Sequence, residues 1–153
     1  MSLYFVRHAK AGSRSDWAED DLDRPLSKSG WKQAEALAER LAKRSITALV
    51  TSPYLRCRQT LEPLAARLDL RITTDHRLTE GERFEAALAL IAELPDGAVL
   101  CSHGDLIPDT IQALERRGCT IAGAPDWRKA TVWVLERDAD GAITDATVWP
   151  PPT

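Results

Sequence analysis

Short apolar runs alternate with amphipathic stretches along this chain, and the alternation predicts strands and helices laid down in turn. Leu3 to Val6 is an uninterrupted apolar run that stops at Arg7-His8, the pattern of a buried strand delivering polar residues at its end. Lys10 to Arg24 turns polar and acidic, carries Gly12, Ser13, Ser15, Glu19, Asp20, Asp21 and Asp23, and reads as a long surface loop ending at Pro25. Ser27 then caps a helix whose apolar face, Trp31, Ala34, Leu37, Ala38 and Leu41, recurs at steps of three and four, with Lys43 and Arg44 suiting its C-terminal dipole. Ile46 to Val50 predicts a second strand, and Thr51-Ser52-Pro53 places Pro near the first turn of a helix that runs to Leu68. Arg71 to Thr74 is a third short strand, Arg83 to Leu94 a helix, and Asp96-Gly97 a turn into the strand Ala98 to Ser102. A further helix spans Asp105 to Arg116. Thr131 to Glu136 and Ile143 to Trp149 are β-rich around a turn at Asp140-Gly141, and the tail Pro150-Pro151-Pro152, unable to extend a sheet, is expected to fray.

This order implies a three-layer α/β/α fold with a mostly parallel central sheet and one late antiparallel strand. Ligands of such sheets bind beyond the carboxyl ends of the strands. Arg7-His8, Ser52 and His103-Gly104 all fall there, so three remote segments converge on one edge.

Composition narrows the function classes. At 153 residues and 44% hydrophobic, the chain has the size and apolar content of one domain over residues 1–153. Its apolar runs are far below the ~20 residues of a membrane-spanning helix, and Met1 to Val6 carries no signal-peptide region, so a cytoplasmic protein without a membrane partner is expected. Cys57, Cys101 and Cys119 are odd in number and widely spaced, which favours reduced packing thiols over disulfides or a CxxC metal site. A net charge of -3 offers no footprint for nucleic acid. Small anionic substrates remain compatible, because a local arginine cluster can oppose the global sign.

The chemistry begins at His8. A neutral imidazole is a competent phosphoryl acceptor, and what it lacks is charge neutralisation against an anionic phosphate. Arg7 beside it, and Arg56 or Arg58 from SPYLRCRQT, can supply guanidinium forks matched to phosphoryl oxygens, and His103 can add a donor. Ser52 reads as a helix cap, Ser102 lacks a nucleophile elbow, and His76 sits in the polar stretch TTDHR as a surface residue.

Five pieces, YFVRHAKAG, RPLSKSGWKQAEALAERL, VTSPYLRCRQTLEPLA, RLTEGE and VLCSHGDLI, stand in an order and at separations that resemble the histidine phosphatase, or phosphoglycerate mutase-like, superfamily. Together they cover most of residues 3 to 107. The resemblance implies a phosphoglycerate mutase-like fold and a metal-independent phosphatase without cofactor. His8 would become phosphohistidine, Arg7 and Arg56 would bind phosphate, and His103 would be the second histidine of the phosphate pocket. Glu80 would protonate the leaving oxygen, with Glu82 as its alternative. Arg58, two residues beyond Arg56 on a helix, faces elsewhere. Ala9 stands where most members have Gly. The RHA form is similar to the short phosphohistidine phosphatases of the SixA type, and to the phosphatase half of actinobacterial two-domain Nudix hydrolases acting on oxidised guanine nucleotides. The second likeness extends through RPLSKSG, LIPD and RKATVWVLE, while the Nudix half has no counterpart within this sequence.

The implied partner is a small phosphorylated substrate or a phosphohistidine-bearing protein. Mutase-type phosphoryl transfer fits less well, since no long insertion precedes His103 to form a lid against water. A non-catalytic phosphate-binding module would need Arg7 and Arg56 but not His8. A metal site built from His8, His103 and Asp105 would set a cation beside guanidinium groups at an electrostatic cost. Lys10, Arg14, Arg128 and Lys129 are candidate recognition groups, each equally explained as solvated surface, and Trp127, Trp133 and Trp149 would form an apolar patch if they share a face. Convergence of the strand ends predicts Arg7, His8, Arg56 and His103 around one phosphate-sized cavity, with the two imidazoles within about 8 Å of each other.

Overall fold

Strand ends set this architecture, because the apolar runs stop level with one another. The computed structural model describes residues 1–152. Its strands are β1 (Ser2–Arg7), β2 (Ala48–Thr51), β3 (Ile72–Thr74), β4 (Ala98–Ser102), β5 (Thr120–Ile121), β6 (Val132–Arg137) and β7 (Ile143–Trp149). The helices are α1 (Lys28–Leu41), α2 (Leu55–Leu68), α3 (Phe84–Glu93) and α4 (Leu106–Arg116). One sheet runs in the order β3-β2-β4-β1-β6-β7-β5. β6 alone opposes the common direction, antiparallel to both β1 and β7, so the expected late antiparallel strand is present. β5, two residues paired with β7, is too short to leave a periodic signal.

Alternation along β1 divides the core. Tyr4 and Val6 join the cluster under α1 and α2 with Ala34, Leu37, Leu41, Leu61 and Leu64. Leu3 and Phe5 join the cluster under α3 and α4 with Leu90, Ile91, Ile107, Ile111 and Leu114. Both faces are covered, which is why the strand reads as a continuous apolar run rather than an alternating one. Among the described residues no helix is long and apolar enough to cross a membrane.

Three expectations are corrected. The segment Lys10 to Arg24 is not merely surface: it forms short 3-10 turns at Arg14–Asp16 and Asp21–Asp23 and buries Arg24. The proline tail does not fray, since Pro151 and Pro152 are half-buried and border a cavity with Ala36, Leu37 and Arg40 of α1. The tryptophans do not share a face. Trp133 is fully buried and stacks on Trp127 at 5.0 Å on the α3/α4 side, whereas Trp149 packs on the α1/α2 side beneath the Arg40 guanidinium, 3.7 Å from its ring centroid.

The start of α1 positions the segment that follows His8. Ser27 Oγ accepts the Gly30 N–H at 3.1 Å, fulfilling the predicted cap, and Ser27 N and Oγ both donate to the Lys10 carbonyl. Gly30 lets this contact close, because a Cβ there would stand 1.8 Å from Lys10 O. Glycine to alanine in a helix ordinarily stabilises by ~1 kcal/mol. Here overpacking against fixed backbone costs about 1–3 kcal/mol, so Gly30→Ala should lower the melting temperature. Thermal unfolding followed by circular dichroism checks this, and a raised midpoint would show that Lys10 moves aside freely.

Candidate active site

β1, β4 and β2 each end one residue before a polar side chain of the site. Arg7 is level with Ser102 and Thr51 with Cys101, so His8, His103 and Ser52 emerge side by side. His8 N donates to Ser102 O at 3.1 Å and Ser52 N to Cys101 O at 3.0 Å, which prolongs the ladder by one residue. The His8 and His103 rings lie 5.5 Å apart between centroids, within the predicted limit.

His8 is 5% exposed. Its Nδ1 is 2.8 Å from the carbonyl oxygen of Ala9, which can only accept, so the ring proton sits on Nδ1. Nε2 keeps its lone pair and faces Arg56 Nε at 3.4 Å. Burial, opposed in part by the Ala9 hydrogen bond and reinforced by the charges of Arg56, His103 and Arg7, drives the His8 pKa down to about 3. Ala9 itself is fully buried, and its N–H donates to Thr60 Oγ1 at 3.0 Å.

Arg56 is fully buried on the first turn of α2. Nη1 donates to Asp21 O at 3.0 Å, Nη2 to Asp21 Oδ2 at 3.2 Å, and Glu80 Oε2 lies 3.6 Å from Nη2. Asp21 also receives Arg24 Nε at 2.9 Å. Partial burial raises the Asp21 pKa, but the Arg24 hydrogen bond and the charges of Arg56, Arg24 and Arg14 outweigh it and leave it below the ordinary value. Arg7 is anchored by Nη1 to the Trp127 carbonyl and packs over Gly104, where a Cβ would come within 2.5 Å of the guanidinium carbon. Burial lowers the Arg7 pKa while Asp105 raises it. Arg7 Nε and His103 Nδ1 are buried with no hydrogen-bond partner among the described residues. Such orphans are rare, and an anion's oxygens are the complement they lack.

These groups border a cavity of about 350 Å³ whose walls include Arg7, His8, Arg14, Arg24, Arg56, Glu80, Asp105 and Lys129. It is roomier than the phosphate-sized cavity expected. His103 stands behind the wall rather than in it: it is 1% exposed, and Gly104 takes the surface position. Glu80 lies in the wall, while Glu82 is exposed and, among the described residues, its carboxylate accepts only from the adjacent Arg83 N–H. The loop bearing Glu80 is pinned twice, by Ser102 Oγ donating to Leu78 O at 2.7 Å and by Gly81 N donating to Asp105 Oδ2 at 2.7 Å. Arg58 is exposed, as its helix position predicted, and pairs with Glu62. His76 is exposed, and all three cysteines are free and buried.

Sequence reasoning placed Ser52 at the converging strand ends but read it as a helix cap. Helix α2 starts at Leu55 with Tyr54 as its N-cap, and Ser52 Oγ instead lies 2.8 Å from His103 Nε2. Tyr54 packs edge-on against His103 at 4.7 Å, and the Arg56 guanidinium lies 4.8 Å from the Tyr54 centroid. Asp21 was missed, its acidic run being indistinguishable from solvated loop. Among the described residues no three His, Cys, Asp or Glu side chains are gathered as a metal-ligand set, so His8, His103 and Asp105 do not form one.

A family model described as the histidine phosphatase superfamily (branch 1) matches residues 3–82. The chain belongs to the histidine phosphatase superfamily. A protein named 8-oxo-(d)GTP phosphatase, from Mycolicibacterium smegmatis, is 38% identical over 99% of this chain. The match takes in 48% of that protein, so the chain spans about half its length. Among solved structures, the protein histidine phosphatase SixA complexed with tungstate superposes with a TM-score of 0.76 at 22% identity, covering 98% of this chain and 95% of that one. A mycobacterial glucosyl-3-phosphoglycerate phosphatase complexed with VO3 gives 0.75 at 21% identity over 99% of both chains. At those identities the likeness shows the fold, and it is the three-layer histidine phosphatase fold anticipated above.

The neutral state of His8 has a consequence for stability. In the unfolded chain its imidazole protonates near 6.5, in the folded chain near 3, so between these values the unfolded state holds the extra proton. Stability contributed by the unprotonated ring is therefore full above pH 6.5 and lost progressively as pH falls toward 3. His8→Gln should lose less stability than the parent protein between about pH 7 and about pH 4.5. Urea unfolding at the two pH values measures the difference, and identical losses would remove His8 from the acid sensitivity.

Proposed function

We propose that residues 1–153 form a single histidine phosphatase domain that hydrolyses phosphate from its substrate through a phosphohistidine at His8. The observation that carries this function is the state of His8: its Nδ1 proton is committed to Ala9 O, and its unprotonated Nε2 stands beside Arg56 in an arginine-lined cavity. Nε2 attacks phosphorus while the bond to the leaving oxygen breaks and that oxygen takes the electron pair. Arg7 and Arg56 hold the equatorial oxygens, and His103, oriented by Ser52, supplies a further donor. Glu80 gives its proton to the leaving oxygen, then takes one from the water that attacks the phosphohistidine, which restores neutral His8 and releases inorganic phosphate. None of these steps calls for a metal ion or organic cofactor.

The substrate is a phosphoester, a nucleotide phosphate or a phosphohistidine-bearing protein, and the likeness to a relative named as an 8-oxo-(d)GTP phosphatase supports the nucleotide phosphates among these. Three unpaired thiols fit the reducing cytoplasm. Retention of His8 in this neutral state sets hydrolysis ahead of a non-catalytic phosphate-binding role.

Two measurements test this function. Rapid acid-free quenching with a radiolabelled phosphate ester should trap a base-stable, acid-labile phosphoprotein, and His8→Ala should abolish both the label and turnover of p-nitrophenyl phosphate in excess chelator. Activity surviving in His8→Ala, or restored by zinc, would reject the phosphohistidine route. Glu80→Gln should slow alkyl phosphates by about 10² to 10⁴ fold and activated aryl phosphates far less, because only an alkoxide needs its proton during bond breaking. Glu82→Gln should change neither rate appreciably. Equal losses on both substrates in Glu80→Gln would instead point to damaged binding.

A further inference from the structure

A second hollow adjoins the first cavity and shares two of its walls. It measures about 440 Å³ and is bordered by Arg7, Lys10, Gln33, Arg128, Lys129 and the prolines Pro151 and Pro152. Arg7 and Lys129 border both spaces, so the two lie side by side at this pair of cations. The cations here are unequally neutralised. Arg128 is bound by Asp126 through contacts from 2.5 to 3.2 Å and points into solvent. Lys10 and Lys129 have no carboxylate partner among the described residues.

Counter-charge is concentrated at the other end of the first cavity. Asp21 and Glu80 engage Arg14, Arg24 and Arg56 there. Toward the hollow, Lys129 is left facing a field of like charge. Its ammonium pKa is lowered by burial first and then by Arg7, Arg24, Arg56 and Lys10. Uncompensated cations crowded at a concave surface are costly unless an anion is bound there.

The backbone that carries Lys129 is welded to the site. Ala130 follows it at φ 66, a left-handed conformation that alanine rarely adopts, and is fully buried. Its N–H is shared between Arg7 O at 3.1 Å and His8 O at 3.2 Å, and Arg7 N donates to Thr131 O at 3.1 Å. Thr131 Oγ1 closes the turn on Arg128 O at 2.7 Å. The strained turn thus holds Lys129 in fixed register with Arg7 and His8 instead of leaving it on a free loop. Lys10 is held from the other side, its N–H donating to Gln33 Oε1 at 3.0 Å.

We infer that this hollow is a second anion subsite, in which Lys129 and Lys10 take a second phosphate of the substrate while His8 attacks the first. The substrate class is then a small molecule bearing two phosphates, joined as an anhydride or carried as separate esters. This rests on the proposed phosphatase function for its catalytic half, but the subsite can be measured without turnover.

Calorimetric binding of inorganic pyrophosphate and of inorganic phosphate to the whole protein is the first test. Pyrophosphate should bind about tenfold or more tightly, the effect of at least one added charge-assisted contact. Lys129→Met and Lys10→Met should each bring the two affinities toward equality, and Lys129→Arg should keep them apart. Ratios cancel general damage to the fold. The second test compares kcat/KM for adenosine diphosphate over adenosine monophosphate, and for fructose 1,6-bisphosphate over fructose 6-phosphate, in the same proteins. A preference in the first pair alone assigns an anhydride, in the second alone separate esters. A pyrophosphate ratio unchanged in Lys129→Met, or no preference in either substrate pair, overturns the subsite. Absence of any turnover with an intact pyrophosphate preference would instead reject the phosphatase function and leave the subsite standing.

Discussion

The hydrogen bond between His8 Nδ1 and the carbonyl of its own neighbour Ala9 is the contact on which the rest of the site depends. A carbonyl oxygen cannot donate, so this bond selects one tautomer and leaves Nε2 bare. The ring cannot answer the nearby cations by pairing with a carboxylate. It responds by remaining neutral, which burial favours further. Ala9 in place of glycine is compatible with this geometry because its methyl is fully buried and its N–H is occupied by Thr60 Oγ1. The tautomer of His8 and the backbone that fixes it are therefore set by the same two residues.

Around that imidazole the fold gathers more cation than a cavity tolerates alone, and distributes counter-charge unevenly. Asp21 and Glu80 flank Arg56, Asp21 also holds Arg24, and Asp105 stands near Arg7. These carboxylates keep guanidinium groups in place before any ligand arrives, so an anion entering the cavity would meet donors that need little reorganisation. Asp105 has a second task, since its Oδ2 fixes the Gly81 N–H and with it the loop that presents Glu80. One carboxylate thus couples the Arg7 end of the cavity to the loop that bears Glu80.

Positions lacking a side chain matter as much as those bearing one. Gly104 gives Arg7 the space to lie flat beside the strand end, and Gly30 brings α1 against the Lys10 carbonyl. Ser52 contributes a single hydroxyl to His103, and Ser102, one residue earlier on β4, contributes another to the turn before Glu80. Each is a short-range contact between segments remote in sequence. Together they convert a sheet edge, which by itself only exposes polar ends, into a cavity with defined donors.

Residue patterning alone determined the architecture of this chain and the edge at which its polar strand ends converge. Apolar runs stop at Arg7-His8 and before His103 because a buried strand must end where polar groups begin, and that boundary is a local property visible in any one segment. The α1 face and its Ser27 cap are equally local, arising from helical periodicity and one side-chain oxygen. Tertiary structure decided which polar residues near those boundaries meet. Ser52 serves His103 rather than a helix, Asp21 leaves the surface to hold Arg56, Lys129 is carried to the cavity by a left-handed Ala130, and the proline tail lies beside α1. No periodicity encodes such pairings, because they depend on the paths of loops whose ends are fixed by distant packing. A carboxylate, hydroxyl or ammonium in a polar stretch has the same local signature whether it meets water or a buried arginine, and only the folded chain distinguishes the two.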